Sequence, residues 1–96
     1  MKGYWIIFGS AVADAEAQSE YARLWGPISE TYQAKVKVLD ADQVVETLTS
    51  SRVLAVEFPS LALAKACYAD PAYTEAKGYA LRAASREMII IEGDLA

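Results

Sequence analysis

The chain contains no histidine and a single cysteine, Cys67. Without histidine it lacks the commonest general base and a common metal ligand, which excludes a Ser-His-Asp triad, a Cys-His pair or a zinc-histidine centre built from one chain. A lone cysteine cannot form an intrachain disulfide, so we expect a reducing, cytoplasmic location. The five glycines form no phosphate-binding loop, and no carboxylate cluster has metal-ligand spacing. We therefore expect neither a cofactor nor a metal.

Positive charge is also scarce. Nine basic residues stand against 13 acidic ones, giving a net charge of −4, and the densest basic cluster is Lys35 with Lys37. Nucleic-acid binding by counterion release needs several converging cations. We therefore expect no nucleic-acid partner and no binding to an anionic membrane surface. No apolar segment approaches the roughly 20 residues of a membrane span.

Apolar residues are abundant for so short a chain, at 54% of 96 residues. This length predicts one domain over residues 1–96. Lys2, the apolar run from Gly3 to Gly9 and the small residues that follow imitate a secretory signal. The run is short, rich in aromatic residues and alternates like a strand, so a β-strand is the better interpretation.

Hydrophobic periodicity, caps and turn residues predict the order β-α-β-β-α-β. The segments are a strand over Gly3–Ser10, a helix from Asp14 to Tyr32 with a kink or a restart at Gly26-Pro27, strands over Lys35–Leu39, Gln43–Leu48 and Arg52–Phe58, helices over Ser60–Ala69 and from Asp70 to about Ser85, and a strand over Glu87–Glu92. This order is the split βαβ of the ferredoxin-like α+β fold, an antiparallel sheet with its helices on one face.

Three of the predicted strands are apolar on both faces. They contain Trp5-Ile6-Ile7-Phe8, Val53-Leu54-Ala55-Val56 and Met88-Ile89-Ile90-Ile91. A half-solvated sheet alternates polar with apolar residues, and the helices cover only one face. The other face would expose an apolar area that monomers rarely tolerate, so we expect a homodimer through the sheet face.

A series of motifs in the second half resembles a small bacterial family called domain of unknown function thirteen-thirty. The matching residues are Glu57-Phe58-Pro59-Ser60, Cys67 to Tyr73, Arg82 and Ile91-Glu92-Gly93, with Lys2 to Ile6 and Tyr21 earlier. The resemblance implies a dimeric α+β barrel, whose members pair sheet to sheet, and supplies no function. Ala34-Lys35 replaces a usual Gly-Gly pair, Val38-Leu39-Asp40 stands near a usual Arg-Gly-Gly, and Cys67 replaces a tryptophan. These departures weaken any site taken from the family, although Lys37 could replace the missing arginine.

Two charged residues are candidates for a ligand pocket. Glu57 shares a strand face with Val53 and Ala55, so its carboxylate could be desolvated and act as a general base with a raised pKa. Alternatively, it is solvated or ion-paired at the strand end. Arg82 could bind a ligand carboxylate, favour the helix C-terminus or pair with Glu57 or Glu92.

Tyr68 and Tyr73 flank Asp70-Pro71 and could donate hydrogen bonds into a pocket between helices and sheet, or simply pack in the core. Four further aromatic residues could line a ligand cavity or pack in the core, and packing is the better interpretation for them: Trp5, Tyr21, Trp25 and Tyr32.

Three functions remain open from the sequence. The first is a non-catalytic or regulatory dimer that binds a small aromatic or anionic metabolite. The second is a cofactor-free isomerase or monooxygenase that uses Glu57, Arg82 and tyrosines. The third is a purely structural homo-oligomer.

Overall fold

The computed structural model describes residues 1–39, 45–46 and 50–95. Its elements are β1 (Lys2–Gly9), α1 (Ala15–Thr31), β2 (Lys35–Leu39), β3 (Arg52–Phe58), α2 (Leu61–Ala69), α3 (Pro71–Ala83) and β4 (Arg86–Gly93). The four strands form an antiparallel sheet in the order β2-β3-β1-β4. The predicted ferredoxin-like α+β fold is confirmed. The further strand expected over Gln43–Leu48 falls largely outside the described residues.

Strand β1 lies in the middle of the sheet and divides its side chains between two faces. Trp5 and Ile7 belong to the core beneath the helices, whereas Tyr4, Ile6 and Phe8 point to the opposite, open face. Direct cross-strand partners point to the same side, so the register assigns every other strand residue to one face or the other.

Helix α1 begins at the predicted cap, where the Asp14 carboxylate accepts a hydrogen bond from the Ala17 backbone N–H at 3.0 Å. It then runs without a break through Pro27 to Thr31. The proline removes one helical donor. The apolar stripe nevertheless continues past it, with Ile28 buried in the core and Trp25 packed against the same cluster, and this burial keeps the two halves in one helix.

Asp70 joins three helices. Its carboxylate caps α3 by accepting from the Ala72 N–H at 2.8 Å, and Pro71 occupies the first helical position, as predicted. The other carboxylate oxygen accepts from the Tyr32 hydroxyl at 2.5 Å, just past the end of α1. This hydrogen bond raises the pKa of Tyr32 to about 12 and lowers that of Asp70. The end of α1 is thereby fastened to the α2–α3 junction.

Close packing of α2 on β1 requires Gly3. A Cβ there would lie 2.5 Å from the Ser60 carbonyl oxygen and 2.7 Å from the Leu61 Cα, inside van der Waals contact with the backbone. The same end of the sheet holds the largest buried side chains: Tyr4, Trp5, Phe58 and Tyr73.

The open face of the sheet carries no helix among the described residues. Phe8, Ile89 and Leu39 lie on it with 41%, 53% and 51% of their surface exposed. Near the Gly3 end the face is covered, because the Leu95 N–H donates to the Tyr4 hydroxyl at 3.1 Å and leaves Tyr4 buried.

Candidate functional site

A cavity of about 490 Å³ lies between the sheet and the helices. Its walls come from one face of α1, from small residues of and just after α3, and from β2, β3 and the start of β4. The lining residues are Ile7, Gln18, Tyr21, Ala22, Trp25, Val36, Val38, Leu39, Ser51, Arg52, Val53, Leu54, Val56, Ala80, Ala84 and Arg86. Most of this lining is apolar. Among the described residues no carboxylate lines it, so Arg52 and Arg86 supply its charge.

The cavity exists because the helix-covered face of β1 changes from large to small along the strand. At Trp5 an indole fills the space under α1 and α2, and at Gly9 there is no side chain. Ala80 and Ala84 face the same region with small side chains. The space that large residues would occupy is therefore left open.

Arg86 enters the cavity from the start of β4 and is partly buried. Its Nη2 donates to the Tyr73 hydroxyl at 2.8 Å, and its Cζ lies 5.8 Å from the centre of the Tyr21 ring. Burial acts to lower the pKa of Arg86, but its interactions with Tyr73 and Tyr21 outweigh this, so the net direction is upward. The guanidinium stays charged, and its partners in the described chain are phenols rather than carboxylates.

The two phenols are coupled. The hydroxyl oxygens of Tyr21 and Tyr73 lie 3.2 Å apart and share one hydrogen bond. Burial raises the pKa of Tyr73, which keeps it protonated. If Tyr73 accepts from Arg86 and donates to Tyr21, the Tyr21 proton is free to point at a molecule in the cavity. Tyr21 also lies parallel to Trp25, with ring centres 6.4 Å apart and an angle of 6° between them.

Arg52 enters from the start of β3. Its Nε donates to the Ser10 carbonyl oxygen at 2.9 Å, and its Nη2 lies 3.2 Å from the position that a Gly9 Cβ would take. The register pairs Gly9 with Arg52 on one side and with Arg86 on the other. The two guanidinium groups therefore flank a glycine on the same face of the sheet.

Glu57 lies on the open face, away from this cavity. It is 6% exposed, and its two carboxylate oxygens pair with Lys2 Nζ at 2.7 Å and Lys37 Nζ at 2.8 Å. Hydrogen bonds from Lys2 and Lys37 lower the pKa of Glu57 to about 2. The alternative of a general base with a raised pKa is therefore wrong, because tertiary pairing stabilises the carboxylate more than burial destabilises it.

The other candidates also lie outside the cavity lining. Tyr73 is fully buried and reaches the cavity only through Tyr21 and Arg86. Tyr68 is partly exposed on α2, with the Lys77 ammonium 5.0 Å from its ring centre. Arg82 is exposed, with its Cζ 4.6 Å from the centre of the Tyr79 ring. That any of the four, Glu57 included, contacts a ligand stays a prediction.

Sequence reasoning missed Arg52 and Arg86 as site residues. Each stands at the first position of a strand, where a solvated arginine is ordinary, and only the three-strand register brings both to Gly9. Of the aromatic set, Tyr21 and Trp25 line the cavity, whereas Trp5 and Tyr32 do not.

Two observations concern the single cysteine and the potential metal ligands. Burial raises the pKa of the Cys67 thiol to about 12, which disfavours a reactive thiolate. Residues 1–39, 45–46 and 50–95 contain no group of three potential metal ligands. In the same residues, no helix is long and apolar enough to cross a membrane.

Comparison with known proteins places the chain by family and fold. The family model described as Domain of unknown function (DUF1330) matches residues 2–94. A search of curated proteins gives no significant match. A protein of unknown function from Rhodopseudomonas palustris is similar in structure, with 22% identity, a TM-score of 0.72 and coverage of 99% of this chain and 84% of that one.

Two further solved structures share the fold. One is a variant of SnoaB, a cofactor-independent oxygenase from Streptomyces nogalater, with 11% identity, a TM-score of 0.71 and coverage of 99% and 95% of the two chains. The other is a dimeric protein of unknown function with a ferredoxin-like fold from Bacteroides fragilis, with 14% identity, a TM-score of 0.61 and coverage of 96% of each chain. At these identities the likeness shows the fold alone.

Proposed function

Since the chain belongs to the family described as Domain of unknown function (DUF1330), which provides no activity, we propose a function from the cavity itself. The protein is a homodimer that binds a small anionic metabolite with an aromatic or otherwise apolar body. The observation that carries this proposal is the apolar cavity whose charged lining residues, in the described chain, are two arginines without a carboxylate partner.

The size and chemistry of the cavity support small-molecule binding. Ligand pockets typically enclose roughly 300 to 1,000 Å³ and combine apolar walls with a few polar groups. A volume of about 490 Å³ lies within this range. Partly buried charges are normally paired with charges of opposite sign, because desolvation is otherwise costly. An anionic ligand would supply that missing partner.

Binding of the ligand is distinct from pairing of the subunits. Phe8 and Ile89 form an exposed apolar patch on the open face, on the other side of the sheet from the cavity, whereas the neighbouring Leu39, at the end of edge strand β2, also borders the cavity. Covering this patch with the same patch of a second copy would remove it from water, and the fold neighbour from Bacteroides fragilis is described as dimeric. The dimer would leave the cavity of each subunit accessible.

A cofactor-free enzyme is the second candidate. The hydrogen-bonded set of Arg86, Tyr73 and Tyr21 could stabilise negative charge that develops on a substrate oxygen, and SnoaB is described as a cofactor-independent oxygenase. Binding is the better proposal because no carboxylate or thiol lines the cavity in the described chain, so a general base for proton abstraction is lacking there.

A thermal-shift screen of small aromatic acids, with the uncharged amides and cationic amines of the same ring systems, tests the proposed function. We expect the acids to raise the melting temperature and the amines to leave it unchanged. The absence of a shift for every acid would overturn the proposal.

Two further measurements test the enzyme and the dimer. Oxygen consumption in the presence of the binding acids and phenols tests the cofactor-free enzyme. Light scattering at micromolar concentration tests the dimer, and a mass near 10 kDa would contradict pairing.

A further inference from the structure

We propose that Arg52 and Arg86 form a carboxylate clamp across Gly9, and that the parallel rings of Tyr21 and Trp25 receive the aromatic body of the same ligand. The ligand class is therefore an aromatic carboxylate held with its acid group at the Gly9 end of the cavity. This inference rests on the proposed function and adds the ligand class, its orientation and the residue that makes room for it.

The clamp follows from the register. Gly9 pairs with Arg52 on β3 and with Arg86 on β4, so both side chains leave the sheet on the helix-covered face, one strand to either side of the glycine. The Arg52 Nη2 lies above Gly9 rather than turning away into solvent. The positive charges of Arg52 and Arg86 repel each other at this end of the cavity. A carboxylate between them would attract both, and these two attractions would offset the repulsion.

Both arginines retain free donors for a ligand. A guanidinium carries five N–H donors. Within the described chain, Arg52 uses Nε on the Ser10 carbonyl, and Arg86 uses Nη2 on Tyr73 and also interacts with the Tyr21 hydroxyl. Each guanidinium is oriented by its own contacts. A planar fork oriented in this way is suited to two-point recognition of a carboxylate.

The other end of the cavity suits a ring. Tyr21 and Trp25 lie four residues apart on the inner face of α1 and present parallel planes, and Ile7, Leu54 and Val56 form an apolar floor below them. Charged and apolar groups are thus separated along the cavity. A matching ligand should have its carboxylate at one end and its aromatic ring at the other. A free inorganic anion would leave the apolar part of the cavity empty.

Gly9 determines the room between the two arginines. An alanine Cβ would lie 3.2 Å from Arg52 Nη2, the flexible end of a side chain, with the next contact at 3.8 Å from the Ser85 carbonyl. Gly9→Ala should therefore fold normally but displace Arg52. Gly78→Ala is the matched control, because a Cβ at Gly78 meets nothing within 4 Å.

Calorimetric titration with benzoate, 2-naphthoate and anthracene-2-carboxylate, each beside its amide, tests the clamp. We expect the best acid to bind at least about tenfold more tightly than its amide, since hydrogen bonds to charged groups contribute roughly 1.5–3 kcal/mol. Arg52→Gln and Arg86→Gln should each remove most of this preference, and Gly9→Ala should weaken it. Arg23→Gln, which removes a positive charge on the outer side of α1, should leave it unchanged.

The outcomes separate this inference from the proposed function. If Arg52→Gln and Arg86→Gln keep the preference for acids, the clamp is overturned and binding of an anionic ligand stands. If acids and amides bind equally well, the clamp and the anionic character of the ligand are both overturned, and only small-molecule binding stands. If neither acids nor amides bind and the thermal-shift screen is also negative, both are overturned. Circular dichroism of each variant confirms that a loss of binding does not come from unfolding.

Discussion

The helix-covered face of the sheet has two ends that differ in almost every respect. At the Trp5 end the indole is fully buried, its Nε1 donates to the Ala64 carbonyl at 2.9 Å, and its ring contacts those of Trp25, Phe58, Tyr68 and Tyr73. At the Gly9 end the same strand has no side chain, and a cavity takes the place of packing.

Pairing of the polar groups distinguishes the two ends. The buried indole N–H at the filled end has its acceptor, as stable packing requires. At the hollow end two guanidinium groups lack a carboxylate within the described chain. The filled end, around Trp5, therefore contributes to stability, and the hollow end, around Gly9, is open to a ligand. Substitutions at the two ends should change stability and ligand binding separately.

Replacing Trp5, which fills the first end, should have the largest effect on the free energy of unfolding. Trp5→Ala removes a fully buried indole and leaves a cavity, which should lower the free energy of unfolding by about 3–5 kcal/mol. Urea denaturation measures the loss. Trp25→Phe, at the border of the two ends, is the milder control. A loss below about 1 kcal/mol for Trp5→Ala would contradict the division into a filled and a hollow end.

Removing a charge at the hollow end should change binding rather than stability. Arg86→Gln should weaken binding of an aromatic acid about tenfold or more, while the free energy of unfolding changes by less than about 1 kcal/mol. Arg82→Gln tests the sequence-based candidate four residues earlier. Because Arg82 is exposed and outside the cavity lining, we expect no change in affinity, and a matching loss would restore it as a ligand residue.

The effect of Glu57 on stability should depend on pH in the opposite sense from that of a general base with a raised pKa. The pKa of Glu57 is lowered to about 2 by Lys2 and Lys37, so its contribution to stability is present above about pH 4.5 and is lost as the pH falls toward 2. The melting temperature of Glu57→Gln should lie below that of the unmodified chain at pH 7. This difference should shrink between pH 4.5 and 2.

A widening of that difference on acidification would show that Glu57 is not held as a carboxylate. Lys2→Gln and Lys37→Gln are the matched controls, since each removes one of the two partners and should retain part of the pH dependence.

Filling the hollow end should have the smallest effect on stability. Val36 lies on edge strand β2, lines the cavity and is nearly half exposed. Val36→Phe should narrow the cavity and weaken binding several-fold, while the free energy of unfolding changes by no more than about 0.5 kcal/mol. Val12→Phe, outside the cavity lining, is the matched control. Unchanged affinity in Val36→Phe would place the ligand elsewhere.

The elements were predictable from local signals. Alternation in β1, the Asp14 and Asp70 caps and the apolar stripe of α1 each arise from residues close together in the chain, and all appear in the structure. Segment ends moved by a residue or two because strand ends depend on cross-strand pairing. Helix α1 continues past Pro27, as predicted, and does not restart there, since core packing of the residues around it outweighs one lost hydrogen bond. A kink at Gly26-Pro27 stays a prediction.

The site depended on distant pairs, which no local pattern contains. The two lysines that lower the pKa of Glu57 come from β1 and β2, and the arginines that flank Gly9 come from β3 and β4. In the sequence, Arg86 is one basic residue near a helix end. Its place beside Tyr21 and Tyr73 becomes visible only when the sheet register and the packing of α1 on α3 are known.

The position of β1 in the sheet also determines when the protein can fold during synthesis. This strand is synthesised before both of its neighbours, because β3 and β4 come much later in the sequence. Until Arg86–Gly93 has been made, one edge of an apolar central strand has no partner, a state open to aggregation. Pairing over such long sequence separations predicts slow folding, and it predicts a nascent chain that needs shielding until β4 has been made.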